Sequence, residues 1–222
     1  MMKRTTMTRL LCAGALAASP LLGHAFSGIT DTAGDFLTTF AGSASSTDLD
    51  VVSATVLYDA GADLFQLTST MSGAIGSTST GFYVWGVNKG AGTAGFAANG
   101  IDGVRFDSVV ILRPDGTGSI GGGPALAPGS VTISGNTITG VVSGAFLAST
   151  GFAKLDYTWN LWPRDGAFTG FAAISDFAPD NANFTSTPGV VAVPEPETWA
   201  LMAAGLGVLG WSARRRVSQA SR

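Results

Sequence analysis

Short runs of β-branched and aromatic residues, each closed by a turn containing Gly, Asn, Asp or Pro, recur from Asp50 to Trp162 of this 222-residue chain. Apolar positions in such runs do not return at three- and four-residue spacing, so they suit sheet faces rather than helix stripes. Asp50 to Tyr58 and Leu64 to Met71 flank the turn Asp59-Ala60-Gly61-Ala62-Asp63 and predict a hairpin. Phe82 to Val87 predicts an aromatic strand, and Gly103 to Leu112 another, with Val104, Phe106, Val110 and Leu112 on one face. Arg113-Pro114-Asp115-Gly116 closes it, Pro setting φ and Gly accepting positive φ. A glycine-rich loop, Gly116 to Gly129, follows; Val131 to Ile133 and Thr137 to Thr139 then flank Ser134-Gly135-Asn136 as a second hairpin, and Leu155 to Trp162 is the last aromatic strand. Helical spacing is confined to Ala33 to Phe40. Seven to nine short strands predict an all-β domain, an antiparallel β-sandwich. No fixed-period repeat argues for a solenoid or propeller.

The amino end is of another kind. Lys3, Arg4 and Arg9 precede a mostly apolar stretch from Leu10 to Leu22, and Gly23-His24-Ala25 places small residues at the −3 and −1 positions of a cleavage site after Ala25. Residues 1–25 therefore read as a signal peptide, a substrate of signal peptidase. Cys12 lies at the start of the apolar stretch, which does not suit a lipoprotein cysteine.

Cleavage there has a chemical consequence, because Cys12 is the one cysteine and His24 the one histidine. Without them the mature domain has no Cys–His or Ser–His–Asp nucleophile, no imidazole or thiolate metal site and no disulfide. Both glutamates, Glu195 and Glu197, lie in the carboxyl tail, so any carboxylate chemistry falls to Asp. From Phe26 to Val193 thirteen Asp face Lys89, Arg105, Arg113, Lys154 and Arg164, a net charge of −8 where the whole chain carries −3. A domain this acidic is a poor partner for nucleic acid.

The carboxyl tail carries three ordered elements: Pro194-Glu195-Pro196, an apolar run over 198–212, and Arg214-Arg215-Arg216. From Trp199 to Trp211 a helix would rise roughly 18 Å, shorter than a hydrocarbon core of about 30 Å. That makes a marginal anchor, with its tryptophans at the interfaces and its arginines held cytoplasmic. The order of parts resembles the PEP-CTERM signal of Gram-negative bacteria, over about Val193 to Arg216. The resemblance implies recognition and cutting by a membrane-embedded exosortase, in bacteria that also make exopolysaccharide. It implies a protein that is exported, transiently held in the inner membrane, then carried to the cell surface or released. The domain plan is then 1–25 signal peptide, 26–185 sandwich, 186–193 linker, 194–216 sorting signal and 217–222 terminal residues.

Three groups within the sandwich could carry chemistry. Asp31 with Asp35, Asp48 with Asp50, and Asp176 with Asp180, Asn181 and Asn183 offer oxygens of the kind calcium takes, Asp176, Asp180 and Asn181 first; none has EF-hand spacing, and Asx turns at strand ends are the commoner use of such residues. On the last strand Tyr157, Trp159 and Leu161 should face the core, leaving Asn160, Trp162 and Arg164 as a possible sugar platform of one ring and two hydrogen-bonding neighbours. Burial of Trp162 in the core competes with that reading. The glycine-rich stretches lack the Gly-Lys-Ser/Thr of a phosphate loop and read as surface loops. The functional expectation is a structural or adhesive matrix protein linked to exopolysaccharide, not an enzyme and without a required cofactor; the alternatives are a carbohydrate-binding module and an Asp-dependent polysaccharide hydrolase.

Overall fold

The computed structural model describes residues 28–191. Among them the chain forms β1 (Ile29–Thr30), β2 (Val51–Asp59), β3 (Leu64–Met71), β4 (Gly81–Asn88), β5 (Ser108–Leu112), β6 (Gly118–Ile120), β7 (Val131–Ser134), β8 (Thr137–Ser143), β9 (Thr158–Asp165), β10 (Phe184–Thr185) and β11 (Thr187–Pro188). One sheet runs β1-β2-β3-β8-β7, with β11 added to β2 in parallel; the other runs β10-β9-β4-β5-β6. Every remaining pairing is antiparallel. The described residues contain short 3-10 turns and no α-helix.

The two sheets face each other across a shared core. β3 alternates, burying Phe65, Leu67 and Met71, while Thr68 and Thr70 meet Thr139 and Thr137 of β8 through their hydroxyls at 3.3 and 3.1 Å on the outer face. From the other sheet come Tyr83, Trp85, Val87, Val110, Leu112, Trp159 and Leu161. Trp159, fully buried, donates its indole N–H to Ser186 Oγ at 2.8 Å.

The second sheet is covered on its outer face as well, completely at Trp162 and partly at Phe82, Val109 and Ile111. Its outward residues Val84, Trp162, Val109 and Ile111 lie beneath loop residues Phe96, Val104, Phe106, Phe171, Ile174 and Phe177. This explains why Phe82 to Val87 shows no polar alternation, since a strand covered on both sides reads as a continuous apolar run.

Both predicted hairpins form. At the first turn, the Asp59 carboxylate accepts the N–H groups of Gly61 and Ala62, and Asp63 takes φ 53°. At the second, Gly135 takes φ 61° in the two-residue connection between Ser134 and Thr137, as the first position of a type II′ turn requires.

Five expectations change. Ala33 to Phe40 is not helical: Gly34 has φ 87° and its N–H is held by the Asp50 carboxylate, which takes the backbone out of helical register. The strand expected from Gly103 starts only at Ser108; Val110 and Leu112 enter the shared core, whereas Val104 and Phe106 cover the outer face. The glycine-rich loop contains β6, and the last aromatic strand begins at Thr158 after a 3-10 turn over Lys154–Asp156, then continues to Asp165. Ser186 to Val191 is no free spacer: Thr187 and Pro188 pair with Leu57 and Tyr58, and buried Val191 donates its N–H to Asp59 Oδ2 at 3.1 Å.

Candidate functional site

Three segments far apart in sequence bring five aspartates together at one end of the sandwich. Asp31 and Asp35 follow the edge strand β1, where the Asp31 N–H donates to Val52 O. Asp50 ends a 3-10 turn immediately before β2. Asp176 and Asp180 lie on the stretch returning along β9, which Ser175 and Ala178 fasten by donating N–H bonds to Pro163 O and Leu161 O. Carboxylate oxygens of Asp31, Asp35 and Asp180 lie within 4.8 Å of one another, as do those of Asp35, Asp50 and Asp176, so Asp35 joins the two groups.

The engagement of these oxygens is uneven. Both Asp50 oxygens accept the Gly34 N–H, and Asp50 Oδ2 also accepts the Ser72 hydroxyl. Asp176 is 1 % exposed, with Oδ2 accepting from Val51 N at 3.0 Å and Oδ1 from Phe177 N at 2.6 Å. Asp31 Oδ1 accepts only the neighbouring Thr32 N–H. Asp31 Oδ2 and Asp35 Oδ1 are shielded from water and accept nothing.

This crowding disfavours ionisation. Burial, then the charges of Asp31 and Asp35, push Asp176 up to about 8, although two backbone N–H groups pull the other way. Burial also pushes Asp31 up to about 6, with Asp35, Asp180 and Asp50 adding to it, and Asp35 is raised by burial and by Asp180 and Asp50. The two ion pairs among the described residues lie elsewhere, Lys89 with Asp107 and Lys154 with Asp63. Either a proton or a hard cation would relieve the cluster.

Of the residues expected to hold calcium, Asp176 and Asp180 enter this cluster and are linked through Asp35. Asn181 does not: its Oδ1 accepts the Gly103 N–H at 2.7 Å and its amide donates to Asp102 at 3.1 Å. Asp48 also turns away, accepting the N–H and hydroxyl of Thr78 at 2.7 and 2.6 Å. Asp50, Asp31 and Asp35 join only through the sheet topology.

The expected sugar platform lies on the outward face of β9, but its ring is not displayed. Trp162 is 2 % exposed, packed against Phe96, Phe106 and Phe177 with centroid separations of 5.1, 4.9 and 5.9 Å. Asn160 is buried and donates to Pro179 O and Ala182 O at 2.6 and 2.8 Å. Arg164 donates to Gly170 O at 2.6 Å, and desolvation lowers its pKa. Trp162 and Arg164 do line a groove, together with Phe82, Phe96, Phe106 and Ile111, but its exposed wall is almost entirely carbon and offers a sugar little to hydrogen-bond.

The expected signal peptide at 1–25, the apolar run at 198–212, and the expected sorting residues Pro194, Glu195, Pro196 and Arg214 to Arg216 all lie outside the described residues. Among the described residues no helix is long and apolar enough to cross a membrane. No curated protein matches the chain. Residues 192–216 match the model of the PEP-CTERM protein-sorting motif, which implies an exported, transiently membrane-anchored protein with exosortase as its processing partner.

Proposed function

We propose that the sandwich, once separated from its sorting tail, serves at the cell surface as a structural and adhesive component of the extracellular matrix, in contact with exopolysaccharide, and that it is not an enzyme. The observation that supports this is the engagement of Asp176. It is the aspartate pushed furthest toward the protonated form, the property a general acid needs. Yet it is 1 % exposed and both oxygens accept backbone N–H groups, so it ties segments together and has no path to a glycosidic oxygen. The Asp-dependent hydrolase reading loses its best acid on that ground.

In this reading the five-aspartate cluster is a calcium site that fastens the β1 edge, the start of β2 and the 176–180 segment to one another. Calcium takes six to eight oxygens, and Asp31 Oδ2 and Asp35 Oδ1 are buried oxygens with nothing else to accept. Asp35, shared by both groups, would be the central ligand.

The test of the matrix role is fractionation of a producing culture with and without exosortase. With exosortase, the protein should co-purify with the polysaccharide fraction at an intact mass lacking the carboxyl tail, and its deletion should loosen that matrix. Recovery in the membrane with the tail intact, or a matrix unaltered by deletion, would defeat the proposal.

A further inference from the structure

We propose that the cleft between the β3–β4 loop and the β5–β6 turn binds a neutral oligosaccharide. It is a distinct place from the β9 face and from the aspartate cluster, and it deepens the matrix reading above, on which its biological sense rests. The cleft holds about 550 Å³, within the usual range of small-ligand sites. One wall is Thr78, Ser79, Thr80 and Phe82; the other is Arg113, Pro114 and Asp115.

Both walls are held before any ligand arrives. Thr78 is bound through its N–H and hydroxyl to Asp48, and Thr80 donates its hydroxyl to Asp165. Across the cleft the Asp115 Oδ1 accepts the N–H and hydroxyl of Thr117 at 2.9 and 2.7 Å, and the Gly116 N–H closes the turn on Arg113 O at 3.1 Å. A Cβ on Gly76 would come within 3.2 Å of Pro114 Cβ, so the two walls meet at the cleft floor and a side chain there would push them apart. Preorganised walls lower the ordering cost of binding.

The groups left over have the mixture a sugar presents in mirror image. Ser79 keeps a free hydroxyl; Arg113 donates one N–H to Ser119 Oγ at 3.3 Å and keeps the rest of its fork. Asp115 Oδ2 is an acceptor on an exposed side chain. Phe82, Pro114 and Ile75 supply apolar surface for the C–H face of a pyranose.

Charge selects among ligands. Asp115 is held below the usual carboxylate range by its bonds from Thr117 and by Arg113, so it is ionised and offsets the guanidinium. The two charged residues that line the cleft cancel, and the carboxylates of Asp48 and Asp165 stand behind its other wall on a domain of net charge −8, which disfavours phosphate esters and uronates and leaves an uncharged hydroxylated ligand.

The test is an amide-resolved NMR titration of the mature protein with cellotriose, maltotriose, xylotriose and chitotriose, and with trigalacturonate as the anionic arm. At least one neutral probe should shift Ser79, Phe82, Arg113 and Gly116 saturably, with a Kd at or below about 1 mM. Arg113→Ala should weaken that binding about tenfold or more at unchanged Tm, as loss of a hydrogen bond from a charged donor does. Ser79→Ala should weaken it less. No saturable shift with any neutral probe, shifts confined to the Trp162 groove, or tighter binding of trigalacturonate would overturn the proposal. Those outcomes would leave the fractionation result untouched, so the two readings fail separately.

Discussion

Trp162 and Gly86 form a pair whose energetics should be strongly coupled. Gly86 lies in β4 opposite Asn160, and a Cβ placed on it would come within 2.2 Å of Trp162 Cη2 and 2.3 Å of Cζ3. The indole cannot swing aside, since Phe96, Phe106 and Phe177 enclose it. Gly86→Ala should therefore cost about 1–3 kcal/mol by overpacking. Trp162→Ala should cost about 3–5 kcal/mol as the loss of a buried large aromatic, which at about 2–4 °C per kcal/mol for a domain of this size lowers Tm by about 6–20 °C. In the double variant the ring is gone, Phe106 Cβ at 3.3 Å is the remaining close neighbour, and Ala in a strand is better than Gly by about 0.5–1 kcal/mol. The pair should then be no less stable than Trp162→Ala alone, a coupling of about 1.5–4 kcal/mol. Urea denaturation of parent, singles and double in excess calcium measures it. Additivity within about 0.5 kcal/mol would refute the packing argument, and a Trp162→Ala change below about 1 kcal/mol would restore an exposed ring.

Two further perturbations probe other parts of the domain. In chelator, Tm should fall as pH rises from 5 to 8: groups whose folded pKa lies above the unfolded value, Asp31 at about 6 and Asp176 at about 8, contribute stability that is full below about pH 4 and lost as pH passes those values. Calcium at about 100 times its Kd should add about 2.7 kcal/mol, or about 5–10 °C, more at pH 8 than at pH 5 because protons compete; a pH-independent Tm in chelator or no calcium effect at pH 8, by scanning calorimetry, would dismiss the cluster's role. Ending the mature chain at Thr185 removes the Ser186 acceptor of Trp159, β11 and buried Val191, and should cost about 3 kcal/mol or more in urea unfolding, whereas a loose linker would leave stability unchanged.

What could be read from the chain before folding was what neighbouring residues decide. The turns at 59–63 and 135–136 and the inward face of β9 depend on Asp, Gly and period-two spacing within a few residues, and these formed as expected. The cover over Trp162 comes from Phe96, Phe106, Phe171 and Phe177, which sit singly in loops and show no period. A signal did exist in β4, whose run Phe82 to Val87 has no polar position to turn toward water. The aspartate cluster was half visible: the acidic pairs stand out, but which pairs meet depends on β1 lying beside β2 and on the 174–178 stretch returning along β9. Local spacing favoured Asn181 as the neighbour of Asp180, whereas the fold sends Asn181 to Gly103 and supplies Asp35 instead.

The same logic of long-range fastening bears on how the sorting tail leaves the domain. Composition made Ser186 to Val193 resemble a spacer, yet the parallel pairing of β11 with β2 and the bond from Val191 N–H to Asp59 Oδ2 hold the chain to the sandwich through residue 191. Asp59 does two things at once, capping the β2–β3 turn with one oxygen and gripping the chain with the other. Pro194 follows Val191 by three residues, which span at most about 10 Å when fully extended. While the tail is uncut, the folded body therefore lies within about one Debye length of the residues that mark the sorting site. With thirteen Asp against five cations over residues 26–193, that body is poorly suited to rest on an anionic surface.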